Sequence, residues 1–486
     1  MSSTGRIGVH AISALLPDLT DHPGPRYRAL SSALTALLLD GRLSPGLRLP
    51  SERDLAAALR ISRATATAAY DELARERLLT RRRGSGSYLN LPAGARLTGP
   101  GSRVQRDGAG HEVLDLSIAC LAPVPGDIEA ALAAVAPRLA RYTAGDGYQP
   151  YGLAELRDAV AERYRSRGLA TRPEQILITN GAQHAFDLVL RLAVNPGDRV
   201  LTELPTYPGS LECIRASGGR AVAVPFASGG QWDTDAIGNL LSQTAPRFAF
   251  LIPDFHNPTG VLIGADERRQ VTAAAHRSGT RIVVDESFVD LDLRAAEYRT
   301  DPPPMAALDE ATISVGSLSK PVWGGLRIGW IRTDAETVQR LTAVRARSDM
   351  SGAVIEQLLA VELLSGLDRT AELRRHELRA GLRGLLDALA IQLPGWAATV
   401  PDGGLSLWVR LDAPAATRLA NRLETRGVLI TPGSRFAPDS SLESYLRIPF
   451  ALPAADLARA VTVMAQTWNE LGSGRAATTR SELVSS

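Results

Sequence analysis

Thr312-Ile313-Ser314-Val315-Gly316-Ser317-Leu318-Ser319-Lys320 is a short apolar run that ends in small residues and a lysine. Of 54 basic side chains, 53 are arginine, and Lys320 is the one lysine. A guanidinium stays protonated, whereas a primary amine can lose its proton in a suitable site and attack a carbonyl. Chance loss of lysine from an arginine-rich chain accounts for the scarcity. It does not account for the address.

Comparable runs lie upstream, at Gln175–Thr179, Arg199–Thr202, Phe248–Ile252 and Arg281–Val284. Each is mostly apolar and so suited to burial on both faces, and helical segments separate them. That alternation predicts an α/β domain with a mostly parallel sheet. In such a sheet, ligand groups gather at strand ends, beside loops and helix N-termini.

The residues at those ends carry chemistry. Thr179-Asn180-Gly181-Ala182-Gln183 passes from a strand through glycine into a helix, where free backbone amides and the positive helix end suit a phosphate. His256-Asn257-Pro258-Thr259-Gly260, Asp285-Glu286-Ser287-Phe288 and Ser317-Leu318-Ser319-Lys320 follow three further strands, and Arg327 stands seven residues past the lysine. A carboxylate for a protonated pyridine nitrogen, an amide for a ring oxygen, an amine for an imine, and a serine and an arginine for a phosphate are what pyridoxal phosphate requires.

The first ninety residues have another character. Tyr27, Leu30, Leu34, Leu37 and Leu38 recur at helical spacing. Ser51, followed three residues later by Asp54, starts a second helix, and Ser62 caps a third whose buried stripe is Ala66, Ala69, Tyr70 and Leu73. Leu78 to Leu89 then reads as two short strands around Arg81-Arg82-Arg83-Gly84-Ser85-Gly86, a basic hairpin suited to a phosphate backbone.

Charge follows this division. Thirteen arginines against eight acids give residues 1–90 a net +5, leaving −3 for the remaining residues of a chain whose total is +2. At 486 residues and 45% apolar content, the chain has the size and composition of a soluble protein of more than one domain. Two cysteines, Cys120 and Cys213, supply neither a disulfide framework nor metal-ligand spacing. With no apolar run approaching membrane-spanning length, a reducing cytoplasm is expected.

Pro25 to Leu89, through Leu49-Pro50-Ser51-Glu52-Arg53-Asp54-Leu55, Ser62-Arg63-Ala64-Thr65 and Gly84-Ser85-Gly86-Ser87, resembles the winged helix-turn-helix of the GntR class of bacterial regulators. That resemblance implies double-stranded DNA as a partner, contacted by Arg53, Ser62, Arg63, Thr65, Arg83 and Gly84. Residues 113–470 resemble the fold-type I aminotransferases, and the two modules in this order resemble the MocR subfamily. The resemblance makes Lys320 the Schiff-base lysine and Asp285 the partner of the pyridine nitrogen. Asn257 contacts the ring oxygen, Tyr207 stacks on the ring, and Gly181, Ala182, Gln183, Ser317 and Arg327 surround the phosphate. Tyr148 reaches the phosphate of a neighbouring subunit, which implies a homodimer, and Arg447 clamps an α-carboxylate. Taken singly, Tyr148 and Tyr207 read better as packed aromatics.

The expected organisation is a winged helix over 20–90, a linker over 91–112, an aminotransferase-like domain over 113–470 and a flexible tail over 471–486. One departure bears on function. Phe288 stands where many relatives carry a tyrosine whose hydroxyl meets the cofactor's ring oxygen. A regulator that senses an amino compound, or pyridoxal phosphate itself, through amine exchange at Lys320 is therefore the leading expectation. An aminotransferase with an appended DNA-binding module is the alternative.

Overall fold

The computed structural model describes residues 7–13, 15–16, 25–39, 43, 46–82, 85–90, 113–227, 230–299, 301–439 and 441–483. Four helices, Val9–Ser13, Arg26–Leu39, Glu52–Leu59 and Arg63–Arg75, form the described part of the first module with the strands Leu79–Arg82 (β1) and Gly86–Leu89 (β2). Ser51 and Ser62 cap the helices Glu52–Leu59 and Arg63–Arg75, accepting from the backbone N–H of Asp54 (3.2 Å) and Thr65 (3.0 Å). Leu30, Leu34, Leu37, Leu55, Ala69, Tyr70, Leu73 and Leu89 close a single core, so the helical stripes read from sequence are the buried ones. β1 and β2 pair antiparallel as the wing, with Arg82 over the Tyr88 ring. Arg83, Gly84 and the 91–112 linker lie outside the described residues.

The second module begins at Leu114–Leu116 (β3) and then builds its main sheet. The strands are Ile176–Thr179 (β4), Arg199–Leu204 (β5), Arg220–Pro225 (β6), Phe248–Leu251 (β7), Arg281–Asp285 (β8), Ile313–Ser317 (β9) and Gly329–Arg332 (β10). They lie in the order β4-β10-β9-β8-β7-β5-β6, and β10 alone runs against its neighbours. Alternation along the strands explains the coverage of both faces. Phe248, Phe250 and Val283 pack with Phe186 and Val189 of the helix Ala182–Ala193, whereas Ala249, Leu251 and Val284 pack on the opposite side with Ile237, Leu241, Val271 and Ala275. Each large buried side chain among these contributes about 2–3 kcal/mol of transfer free energy.

β10 was not among the strands expected from sequence. Gly329 opens it, and a Cβ there would meet the Gly181 carbonyl carbon at 2.6 Å and the Gly316 carbonyl oxygen at 2.8 Å. Only glycine allows the strand to pass this close, and the passage braces Gly181 against the end of β9.

A second sheet contains Ala397–Ala398 (β11), Ser406–Arg410 (β12), Val428–Pro432 (β13) and Tyr445–Pro449 (β14), ordered β11-β12-β14-β13-β3. Its apolar face, including Leu407, Val409, Leu446 and Ile448, packs on Leu378, Leu382 and Leu385 of the helix Leu367–Gln392 and on Leu457 and Val461 of Ala454–Leu483. That last helix continues through 471–483, where the sequence reading expects a flexible tail; Leu471 is buried and carries the helix past that boundary. The helix Ala416–Glu424 lies over this sheet and also meets the first module, where Arg418 faces Glu72 and Glu76 across a contact shared with Arg28, Ser31 and Thr35. No described helix is long and apolar enough to cross a membrane.

Candidate functional site

The ends of β4, β7, β8 and β9 open on one cleft of about 710 Å³, solvent included. Ala182, Gln183, Tyr207, Asn257, Asp285, Ser317, Lys320 and Arg327 line it, so eight of the residues singled out from sequence are brought together.

The phosphate end is the N-terminus of Ala182–Ala193. Gly181 occupies the cap position at φ +91 with no side-chain cap, leaving the first amides of the helix for a ligand. A Cβ at Gly181 would meet Arg327 Nη2 at 2.8 Å, and Arg327 Nη2 donates to the Asn180 carbonyl (2.7 Å). Gly181 does not line the cleft itself; its backbone seats the guanidinium that does. Ser317 Oγ lies 3.0 Å from the Ile328 carbonyl oxygen and accepts from Ser319 N–H (3.0 Å). Ser319, Ser210 and Ser287 also face the cleft, and the sequence reading missed them. Their signal was a hydroxyl within three residues of Lys320, Tyr207 or Asp285, too common to single out alone.

At the other end, Lys320 Nζ donates to the Ala119 carbonyl (2.8 Å) and stands 5.6 Å from the centroid of the Phe288 ring. Burial holds its amine below the ordinary lysine range, and the Arg447 and Arg327 cations act in the same direction. The Asp285 carboxyl is pushed up by burial, while Ser287 donates its backbone N–H to Oδ1 (2.9 Å) and Lys320 pulls it back down. A protonated pyridine nitrogen would do the same more strongly. Asn257 is buried with its amide on the cleft, and the Tyr207 hydroxyl, pushed up to about 12 by burial and by Asp285, lies 3.4 Å from Gln183 Oε1. A backbone anion cradle, a carboxylate, an amide and a partly desolvated amine on one wall suit a phosphorylated pyridine aldehyde.

Arg447 does not line the cleft. It lies in β14, 6% exposed, donating from Nη2 to the Ser117 carbonyl and to Thr431 Oγ1 (3.3 Å), with its guanidinium 5.3 Å from the Phe436 ring. Among the described residues its Nε has no hydrogen-bond partner and no carboxylate is in ion-pair contact with it; burial lowers it to about 10, with the Tyr207 hydroxyl and the Asp115 carboxylate acting the other way. Tyr148 is 55% exposed and also stands away from the cleft of its own chain.

In the first module, Arg53 projects into solvent with its side chain 83% exposed, and Arg63 opens the helix Arg63–Arg75, also exposed. Ser62 and Thr65 are joined through their hydroxyls (2.8 Å), so both serve the cap at the helix start. Arg81, part of the basic run, is paired with Asp71 (2.6 Å) and Glu52 (3.5 Å).

Comparison with known proteins agrees with this division. Residues 26–89 match the bacterial regulatory proteins of the gntR family, and residues 125–464 match the class I and II aminotransferases. The chain is 26% identical over 480 residues to the uncharacterized HTH-type transcriptional regulator YisV of Bacillus subtilis, covering 92% of this chain and 96% of that protein. It is 31% identical over 333 residues to the probable rhizopine catabolism regulatory protein MocR of Rhizobium meliloti, covering 63% and 65%. A solved structure of the α-aminoadipate aminotransferase LysN from Thermus thermophilus, complexed with N-(5'-phosphopyridoxyl)-L-leucine, superposes with a TM-score of 0.68 at 30% identity, covering 74% of this chain and 93% of that one.

Proposed function

Since the chain belongs to the MocR subfamily of GntR regulators, in which a DNA-binding winged helix precedes a pyridoxal-phosphate-dependent aminotransferase-like domain, we propose that it regulates transcription in response to an amino compound bound at Lys320. Arg447 is the observation that carries this reading. It is a buried cation without a carboxylate in ion-pair contact among the described residues, and its charge acts on Lys320. A buried guanidinium left in this state is costly unless an anion completes it, and the carboxylate of an amino acid is an anion of the right shape.

Pyridoxal phosphate, when bound, supplies an aldehyde that condenses with primary amines and a pyridine ring that withdraws electrons. Ala182, Gln183, Ser317 and Arg327, with the Gly181 backbone, would hold its phosphate, and Tyr207 would stack on the ring. Asp285 would keep the pyridine nitrogen protonated, and Asn257 would donate to the ring oxygen. The Lys320 amine, held below the ordinary lysine range by burial, would be the group that condenses with the aldehyde and that an incoming amine would replace. Phe288 offers no proton to that oxygen, which favours holding the ligand over turning it over.

Arg447 and the helix Ala416–Glu424 both belong to the second sheet layer, and Ala416–Glu424 also meets the first module. A ligand carboxylate on Arg447 thus has a short physical route to the DNA-binding helices, provided that the ligand prefers one arrangement of the two modules. Arg53, Ser62, Arg63 and Thr65, with Arg83 and Gly84 of the wing, are the DNA contacts in this reading. A cytoplasmic homodimer, with Tyr148 entering the neighbouring site, completes it. The exposed Tyr148, Tyr151, Met350 and Ile355 give it an apolar surface to bury.

Absorption of the full chain mixed with pyridoxal phosphate tests the proposal. A visible band is expected, lost in both Lys320→Ala and Lys320→Arg. An amino acid should change the band without releasing keto acid. A band that survives Lys320→Ala refutes the site, and stoichiometric keto-acid release on each cycle replaces sensing with transamination.

A further inference from the structure

Behind Asn257, two fully buried titratable side chains face one another without a conventional partner between them. Glu203, near the end of β5, accepts at Oε1 from Ile252 N–H (2.8 Å) and from Trp232 Nε1–H (3.3 Å). Among the described residues its Oε2 has no hydrogen bond and lies 3.9 Å from His256 Nε2, which has none either. The other imidazole nitrogen, Nδ1, lies 2.9 Å from Thr259 Oγ1, and the edge of Phe226 packs on the ring at 4.7 Å between centroids. His256 is the residue immediately before Asn257.

We propose that Glu203 and His256 form a neutral acid–imidazole pair that shares one proton and serves as the positioning device for Asn257. Two protonation states are consistent with the short separation. In the ionic one, a carboxylate and an imidazolium are both removed from water, the carboxylate has only Oε1 satisfied, and a second negative charge stands near Asp285. In the neutral one, Oε2–H is a donor, Nδ1–H is donated to Thr259, and Nε2 is a bare acceptor facing Oε2. A movement of about 1 Å at the flexible carboxyl end brings the pair to an ordinary O–H···N distance and satisfies both orphaned atoms. Burial drives both groups the same way, the Glu203 carboxyl up to about 8 with Asp285 adding to it, and the His256 imidazole down to about 3.

The pair does two things. It pins the imidazole from three sides, by Glu203, Thr259 and Phe226, and so fixes the turn that aims Asn257. It also keeps Glu203 uncharged, leaving Asp285 as the carboxylate available to the pyridine nitrogen. The inference rests on the assignment of Asn257 to the cofactor's ring oxygen, and its test separates the two.

Histidine ¹⁵N NMR of the cofactor-free full chain should show one imidazole that stays neutral, protonated at Nδ1, from pH 5 to 8, and that disappears in His256→Gln. In the pyridoxal-phosphate-loaded protein, Glu203→Gln keeps a donor toward His256 and should leave the pK of the visible band unchanged. Glu203→Leu removes the donor, lets Asn257 drift, and should raise that pK by about 1 unit. A His256 signal that titrates between pH 5 and 8, or a Glu203→Gln protein whose band shifts as that of Glu203→Leu does, overturns the neutral pair. An unmoved band in both variants overturns the positioning role. If the wild-type protein shows no band at all, the assignment of Asn257 fails, and the NMR result still decides the pair.

Discussion

Replacing Arg447 with methionine should leave the ligand-free protein as stable as before or slightly more so, while removing its response to amino acids. Burial lowers the Arg447 guanidinium to about 10, which disfavours its charged form by on the order of 3 kcal/mol relative to water. The loss of the hydrogen bonds to the Ser117 carbonyl and Thr431 Oγ1 costs about 1–2 kcal/mol, and the loss of the cation–π contact with Phe436 about 0.5 kcal/mol. Methionine fills a similar volume with an apolar chain, so the balance is roughly 1 kcal/mol of net stabilisation. Binding changes in the opposite direction. Breaking a buried arginine–carboxylate pair costs about 3–5 kcal/mol, which is a loss of at least 100-fold in the amino-acid concentration needed to change the visible band. Urea unfolding of the ligand-free protein and a spectral titration with amino acids read the two effects. If Arg447→Met is destabilised by more than about 2 kcal/mol while its amino-acid response is unchanged, Arg447 is a structural cation and the sensing argument loses its main support.

Four further outcomes are expected. Phe288→Tyr places a hydroxyl beside Lys320 and should lower the pK of the visible band by about 1 unit and increase keto-acid release; no change in either means that the missing donor is not what limits turnover. Gly181→Ala puts a Cβ 2.8 Å from Arg327 Nη2 at a left-handed backbone position, and should weaken pyridoxal phosphate retention about tenfold or more with far-UV dichroism intact; normal retention would remove Gly181 from the cradle. Arg53→Ala should weaken DNA binding and lower its salt slope by about 1 while sparing the visible band, and loss of both together would mean that the modules do not act separately. Burial raises Glu203 to about 8 from 4.5, so its contribution to stability is complete below about pH 4.5 and is lost as the pH rises through 8. The urea midpoint of Glu203→Gln should therefore fall less than that of the wild type between pH 5 and 8, and parallel curves would show that Glu203 is already ionised.

Much of this architecture was legible because each module repeats a local rule. Leu30, Leu34, Leu37, Ala69, Tyr70 and Leu73 are buried at the helical period, and Phe250, Val283 and Val315 are strand residues in apolar runs. The cleft was legible for a related reason, since a parallel sheet delivers its loops to one edge and Asn257, Asp285 and Lys320 each follow a strand. β10 was not. Gly329–Arg332 is four residues long and gains its place from the contact of Gly329 with Gly181 and Gly316, which no local pattern records. Arg81 shows the same limit for charge, because its basic run gives no hint that Asp71 and Glu52 already pair with it.

Which residues could do chemistry was readable along the chain, since an amine, a carboxylate and an amide have their reactivity wherever they stand, and local periodicity placed each at a strand end. Their charge state depends on the folded arrangement. Arg447 is a desolvated cation because β14 buries it with no carboxylate in ion-pair contact among the described residues, and Glu203 meets His256 because β5 and β7 are adjacent strands. Desolvation and Coulomb energy depend on distances between residues far apart in the chain, and those distances exist only once it has folded.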